Sequence, residues 1–129
     1  MALLKKCLLV TDDPDDHVAF TDAVSEITAN AIVLAVLDSQ KALSLLLEKT
    51  LLPDYIFLDL SMHAVNADFF LNSLREDKAL SKIPTVLYGD RKAYDAADPH
   101  LNMTFFNKDY TYSDIKNFVQ HLIRDTSGV

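Results

Sequence analysis

Tyr55-Ile56-Phe57-Leu58-Asp59-Leu60-Ser61-Met62 decides how the chain is read. A succession of bulky apolar and aromatic residues follows Pro53-Asp54 and delivers one carboxylate at its end, the pattern of a strand buried on both faces. A charge in such a place is costly unless something compensates it. Two other segments offer the compensation. Lys5-Lys6-Cys7-Leu8-Leu9-Val10 reads as a second buried strand and ends in Thr11-Asp12-Asp13, while Met103-Thr104-Phe105-Phe106 reads as another and ends in Asn107-Lys108. In an open parallel sheet every strand C-terminus lies at one edge, where the ligand crevice forms. Acids and one lysine then converge there, which suits a divalent cation and a phosphoryl group.

Strand and helix patterns alternate along the rest of the chain. Asp13-Pro14 marks a helix start, an acid at the cap and proline at the first helical position. Phe20, Ala23, Val24 and Ile27 then share one helical face. Ile32 to Leu37 reads as a strand, and Ser39 opens a helix carrying Leu43, Leu46 and Leu47. A helix with Ala67, Phe70, Leu71 and Leu74 on one face follows the central strand. Thr85 to Tyr88 is the fourth strand and Met103 to Phe106 the fifth. The last helix, near Ser113 to Arg124, buries Ile115, Phe118, Val119 and Leu122. The segment from Gly89 to Leu101 has the weakest pattern, and a shortened or irregular helix is expected there. This alternation predicts an α/β fold: a five-stranded parallel sheet in the flavodoxin-like order 2-1-3-4-5, helices on both faces, right-handed crossovers.

At 129 residues the chain is expected to form one domain, with its core at about 4–124. The net charge of -7 argues against a nucleic-acid surface, which needs a basic stripe. Met1 to Val10 is too short for a membrane span and lacks a cleavage site, so neither a signal peptide nor a membrane partner is expected. The lone Cys7 excludes an intramolecular disulfide and fits a reducing compartment, so a cytoplasmic location is expected. The histidines His17, His63, His100 and His121 lack metal-ligand spacing.

Taken in order, four segments resemble the receiver domain of two-component response regulators, and the resemblance covers nearly the whole chain. Lys5 to Asp16 resembles the family's first strand and acidic loop, and Pro53 to Met62 its third strand. Lys82-Ile83-Pro84-Thr85-Val86-Leu87-Tyr88 resembles the fourth, and Phe105-Phe106-Asn107-Lys108 the fifth. The resemblance implies that Asp59 is the phosphoacceptor and Lys108 the cation paired with the phosphoryl oxygens. Mg2+ would be held by Asp12, Asp59 and the backbone carbonyl of Ser61. Asp13 is read first as the helix cap and second as a further ligand. Phe105 matches the family's switch aromatic. The implied partners are a sensor histidine kinase or phosphotransfer protein and a downstream protein target. The implied chemistry is that of a signalling phosphoacceptor, limited to its own phosphorylation and dephosphorylation, rather than that of an enzyme acting on other molecules.

Several positions depart from the family pattern. Its paired acids fall on Thr11 and Asp12, so the first is a neutral hydroxyl. The hydroxyl residue ending the fourth strand falls on Gly89, the small residue after it on Asp90, and the proline after the lysine on Asp109. His63 and Ala64 replace a proline and a glycine. Gly89→Thr is expected to restore part of the switch if Lys108 is correctly placed. The rival reading is therefore a degenerate receiver, a module that binds its partner whether or not it is phosphorylated. A flavin carrier is disfavoured by the acidic loop Thr11-Asp12-Asp13-Pro14-Asp15-Asp16, which repels phosphate unless a cation intervenes. A dinucleotide fold would need more glycine than Gly89 and Gly128 supply. Ser61, two residues after Asp59, replaces the second acid of haloacid dehalogenase-type phosphatases.

Overall fold

A computed structural model describes residues 5–62, 67–89, 103–107 and 112–126. In chain order the elements are β1 (Lys5–Val10), α1 (Pro14–Ile27), β2 (Ala31–Val36), α2 (Ser39–Leu47), β3 (Tyr55–Asp59) and α3 (Ala67–Arg75). A 3-10 turn (Leu80–Lys82), β4 (Thr85–Gly89), β5 (Met103–Asn107) and α4 (Tyr112–Thr126) complete them. The strands form one parallel sheet in the order β2-β1-β3-β4-β5, as the alternating pattern predicted. The irregular helix expected between Gly89 and Leu101 falls outside the described residues.

The sheet separates two apolar layers, and β3 feeds both because successive side chains point to opposite faces. Ile56 and Leu58 join Ala42, Leu43 and Leu46 of α2 and Phe70, Leu71 and Leu74 of α3. Tyr55 and Phe57 join Phe20, Ala23 and Val24 of α1 and Ile115 and Val119 of α4. All of β3, Asp59 included, is buried. Phe20 is the hub of the second layer, its ring 5.3 Å from that of Phe57 and 5.2 Å from that of Tyr88.

Local chemistry sets the element ends. Asp13 caps α1 by accepting from the Asp15 N–H at 2.9 Å, Pro14 follows it, and Asp15 and Asp16 favour the positive end of the helix dipole. β2 stops at Val36, one residue before the expected Leu37. Asp38 takes over there as the α2 cap, accepting from the Gln40 N–H at 2.8 Å, and Leu37 is left exposed. At the far end of α1, the Tyr112 hydroxyl of α4 donates to Glu26 at 2.7 Å, and Lys116 pairs with the same carboxylate. These two donors hold the Glu26 carboxyl below its usual range, while the tyrosine hydroxyl is pushed up to about 12. No helix among the described residues is long and apolar enough to cross a membrane.

Cys7 lies in the middle of β1 with no exposed surface, and burial, with Asp54 adding, pushes its thiol up to about 12. The folded protein keeps this thiol neutral at a pH where the unfolded chain ionises it. The stability this confers is complete below the ordinary thiol pKa and is lost as the pH rises from there toward 12. We expect the unfolding free energy to fall over that window by more in the unmutated protein than in Cys7→Ala, measured by urea titration at stepped pH. Equal slopes would refute it. An aromatic disulfide reagent is likewise expected to label Cys7 only on unfolding.

Candidate phosphoacceptor site

The register of the sheet builds the site. Val10 pairs with Val36 on one side and with Leu58 on the other. The next residues, Thr11 and Asp59, therefore leave adjacent strands at the same level. By alternation Thr11 shares a face with Cys7 and Leu9, and Asp59 shares one with Tyr55 and Phe57. All four of those belong to the layer under α1, so the two side chains emerge on the same side of the sheet.

There they meet. The Thr11 hydroxyl donates to Asp59 Oδ2 at 2.7 Å, and the Ser61 N–H donates to Asp59 Oδ1 at 2.8 Å. The second bond is an Asx turn, which swings the chain off β3 at the sheet edge. Thr11 is itself held at both ends: its N–H donates to the Val36 carbonyl at 3.2 Å, and its Oγ1 accepts from the Asp13 N–H at 3.1 Å. Thr11 is fully buried and Asp59 is 4% exposed. Asp12 and Asp13 are exposed, Asp13 with its carboxylate in the helix cap. Among the described residues no three acids, histidines or cysteines gather in a group able to hold a metal.

β4 closes the other side. Asp59 pairs with Tyr88, and the Leu60 N–H donates to the Tyr88 carbonyl at 2.9 Å, so pairing continues past the end of β3. The Tyr88 hydroxyl donates to Asp16 Oδ2 at 3.1 Å, tying β4 to the first turn of α1. The periodic pattern placed Tyr88 only as strand core. A hydroxyl at the last core position of a strand, level with an acidic helix start, was the available signal.

Gly89 follows with φ +131°, a conformation that side-chain-bearing residues rarely adopt. A Cβ there would lie 3.1 Å from Ser61 Oγ and 3.3 Å from Leu60 Cβ. A threonine at this position therefore carries a backbone cost that the sequence pattern does not display. Gly89→Thr is expected to destabilise the fold by about 1–3 kcal/mol, because a β-branched residue must be forced into that backbone geometry. Chemical denaturation checks this, and a variant as stable as the parent would show that the β4 terminus relaxes freely.

Phe105 stands on β5 paired with Leu87, and Asn107 is paired with Gly89. Lys108 is the next residue, and it lies outside the described residues together with His63, Ala64, Asp90 and Asp109. The structure thus brings Thr11, Asp59, Ser61 and Gly89 together, with Asp12 one residue beyond Thr11.

No protein-family model matches the chain, and no curated protein matches it in sequence. Solved structures do. The bacteriophytochrome response regulator RtBRR is similar at 26% identity and TM-score 0.72, over 98% of this chain and 80% of that one. The phosphorylated cyanobacterial phytochrome response regulator RcpA is similar at 24% identity and TM-score 0.75, over 94% and 92%. The Mn(2+)-bound form of response regulator Rcp1 is similar at 20% identity and TM-score 0.70, over 92% and 91%. Its strand order, the acid ending its central strand and these likenesses together show that the chain has the fold of response regulator receiver domains.

Proposed function

We propose that the chain accepts a phosphoryl group on Asp59 from a sensor histidine kinase or a phosphotransfer protein and signals by contact with a downstream protein. The observation that supports this most is the near-complete burial of the Asp59 carboxylate at the C-terminal edge of the sheet, where open α/β sheets bind ligands. Its described hydrogen-bond donors, the Thr11 hydroxyl and the Ser61 N–H, are both neutral.

Transfer from a phosphohistidine breaks the P–N bond as a bond forms between phosphorus and an Asp59 oxygen. The nitrogen lone pair stays with the departing imidazole, and a carboxylate nucleophile has no proton to surrender, so no general base is required. The transition state spreads charge over three equatorial oxygens, and the protein is asked mainly for positioning and charge neutralisation. Lys108, directly after β5, supplies a point charge in this scheme. The carboxylates of Asp12 and Asp59 and the Ser61 carbonyl are oxygen donors of the kind Mg2+ prefers. With neutral Thr11 in place of an acid and Asp13 committed to its helix cap, they make a weak site. A divalent cation bound there offsets negative charge on the phosphoryl oxygens.

The test is addition of Mg2+ and beryllofluoride, followed by backbone amide resonances. Shifts confined at first to residues 11–13 and 59–62, saturating only at millimolar metal, are expected. Changes elsewhere, or none at millimolar metal, would count against the site.

A second reading has an observation of its own. Gly89 offers no hydroxyl to a phosphorylated Asp59, so phosphorylation has little differential contact with which to move β4, and a ligand shifts an equilibrium only by its differential affinity. On this reading the chain is a degenerate receiver that binds its partner in either state, with an affinity ratio below about tenfold, or ~1.4 kcal/mol.

A further inference from the structure

The residue standing where the family has an acid is more than a lost ligand. We propose that the Thr11 hydroxyl is a positioning relay, carrying the charge state of Asp59 to the N-terminus of α1. The chain of bonds is continuous: the Asp13 N–H donates to Thr11 Oγ1, and the Thr11 hydroxyl donates to Asp59 Oδ2. A hydroxyl has one proton to give, and giving it to an anion polarises its oxygen and makes it the better acceptor. The Asp13 amide is therefore held most firmly while Asp59 carries its charge. Asp13 is also the cap of α1, so what moves its backbone moves the helix start.

The Thr11–Asp59 end of the relay is buried, where such a bond is strong, while the Asp13 end is partly open to water. Thr11 is without exposed surface, and its main chain is pinned to β2 through the Val36 carbonyl. The route also bypasses the end of β4, where Gly89 has no group to respond. If Asp59 is phosphorylated, as proposed above, its Oδ2 is a poorer acceptor in the acyl phosphate than in the carboxylate. The first rearrangement then falls at residues 11–13, at the cap of α1, rather than at β4 and β5. That consequence rests on the phosphoacceptor reading. The relay itself is present without phosphate and is tested without it.

Asp59→Asn removes the charge, and with the amide oxygen kept on the Ser61 N–H its NH2 group faces Thr11, whose hydroxyl then accepts instead of donating. Amide hydrogen exchange at Asp13 is expected to rise about fivefold in this variant, the worth of one hydrogen bond of ~1 kcal/mol. In Thr11→Val the same Asp59→Asn change is expected to leave Asp13 exchange unaltered, whereas Thr11→Ser restores the response. An equal response in Thr11→Val and in the parent would overturn the relay. Should Thr11→Val fail to fold, the parent and Asp59→Asn decide by themselves. A Thr11 hydroxyl proton that exchanges slowly enough to give its own resonance in the parent, and is lost in Asp59→Asn, supports the relay; one lost to water in both refutes it. Phosphoryl uptake by the parent is scored separately, so a protein that is never phosphorylated can still show the relay.

Discussion

Asp59→Asn is expected to abolish phosphoryl incorporation from acetyl phosphate, while the parent takes up one acid-stable, base-labile group. The substitution is nearly isosteric, and the amide oxygen can still accept from the Ser61 N–H that now holds Oδ1. What disappears is the anionic nucleophile, since an amide oxygen does not form a stable acyl phosphate. Intact-mass measurement before and after mild alkali reads the result directly. A variant that still gains the group would move the nucleophile elsewhere, with the exposed Asp12 and Asp13 next to be tested. Lys108→Ala should slow the reaction without abolishing it, because it removes charge stabilisation and leaves the nucleophile in place.

Phe20→Ala is expected to cost about 3–5 kcal/mol of folding stability, among the larger losses a single truncation can cause. Phe20 is 1% exposed, and its ring lies tilted against Phe57 of the central strand and Tyr88 of β4. Truncation opens a cavity between α1 and the sheet where two aromatic neighbours are rigid and cannot collapse into it. Against a usual total of ~5–15 kcal/mol this is a large share, and urea unfolding would show it as a shifted midpoint. Phe20→Leu should cost much less, since most of the volume is kept. A small loss in Phe20→Ala would mean that the α1 layer repacks. The truncation should also loosen the Tyr88 hydroxyl from Asp16, so its effect is felt at the site edge as well as in the core.

Most of the architecture was legible because burial on both faces leaves a plain signature. The apolar runs at Leu8–Val10, Ile56–Leu58 and Val86–Tyr88 could only be interior strands, and the helical stripes between them supplied the two covering layers. Asp59 stood out as the acid that directly ends the run Tyr55–Leu58. The Thr11–Asp59 bond was not legible. It depends on Val10 lying opposite Leu58, and register between parallel strands is set by tertiary packing that no local pattern displays. Counting along β1 made Thr11 look like a missing acid, whereas its hydroxyl is the group that reaches the carboxylate. The φ of Gly89 was hidden for a related reason. Its composition suggested an absent side chain, and only the neighbouring Leu60 and Ser61 show that the backbone there is one a side chain would strain.

At the opposite edge of the sheet, Lys49 follows the C-terminus of α2 with φ +60° and its ammonium meets Asp77. That same aspartate accepts from the Ala79 and Leu80 N–H groups and so shapes the 3-10 turn leading into β4. Nearby, Asp54 is stitched to Lys6 by bonds in both directions, its N–H donating to the Lys6 carbonyl and its carboxylate accepting from the Lys6 N–H. These loops lead into strand N-termini, a full strand length from Asp59. The molecule thus has a fastened end and a chemical end. A fluorophore or affinity tag attached through the side chain at exposed Thr50 or Leu52, on either side of the core-packed Leu51, would leave the Asp59 edge undisturbed.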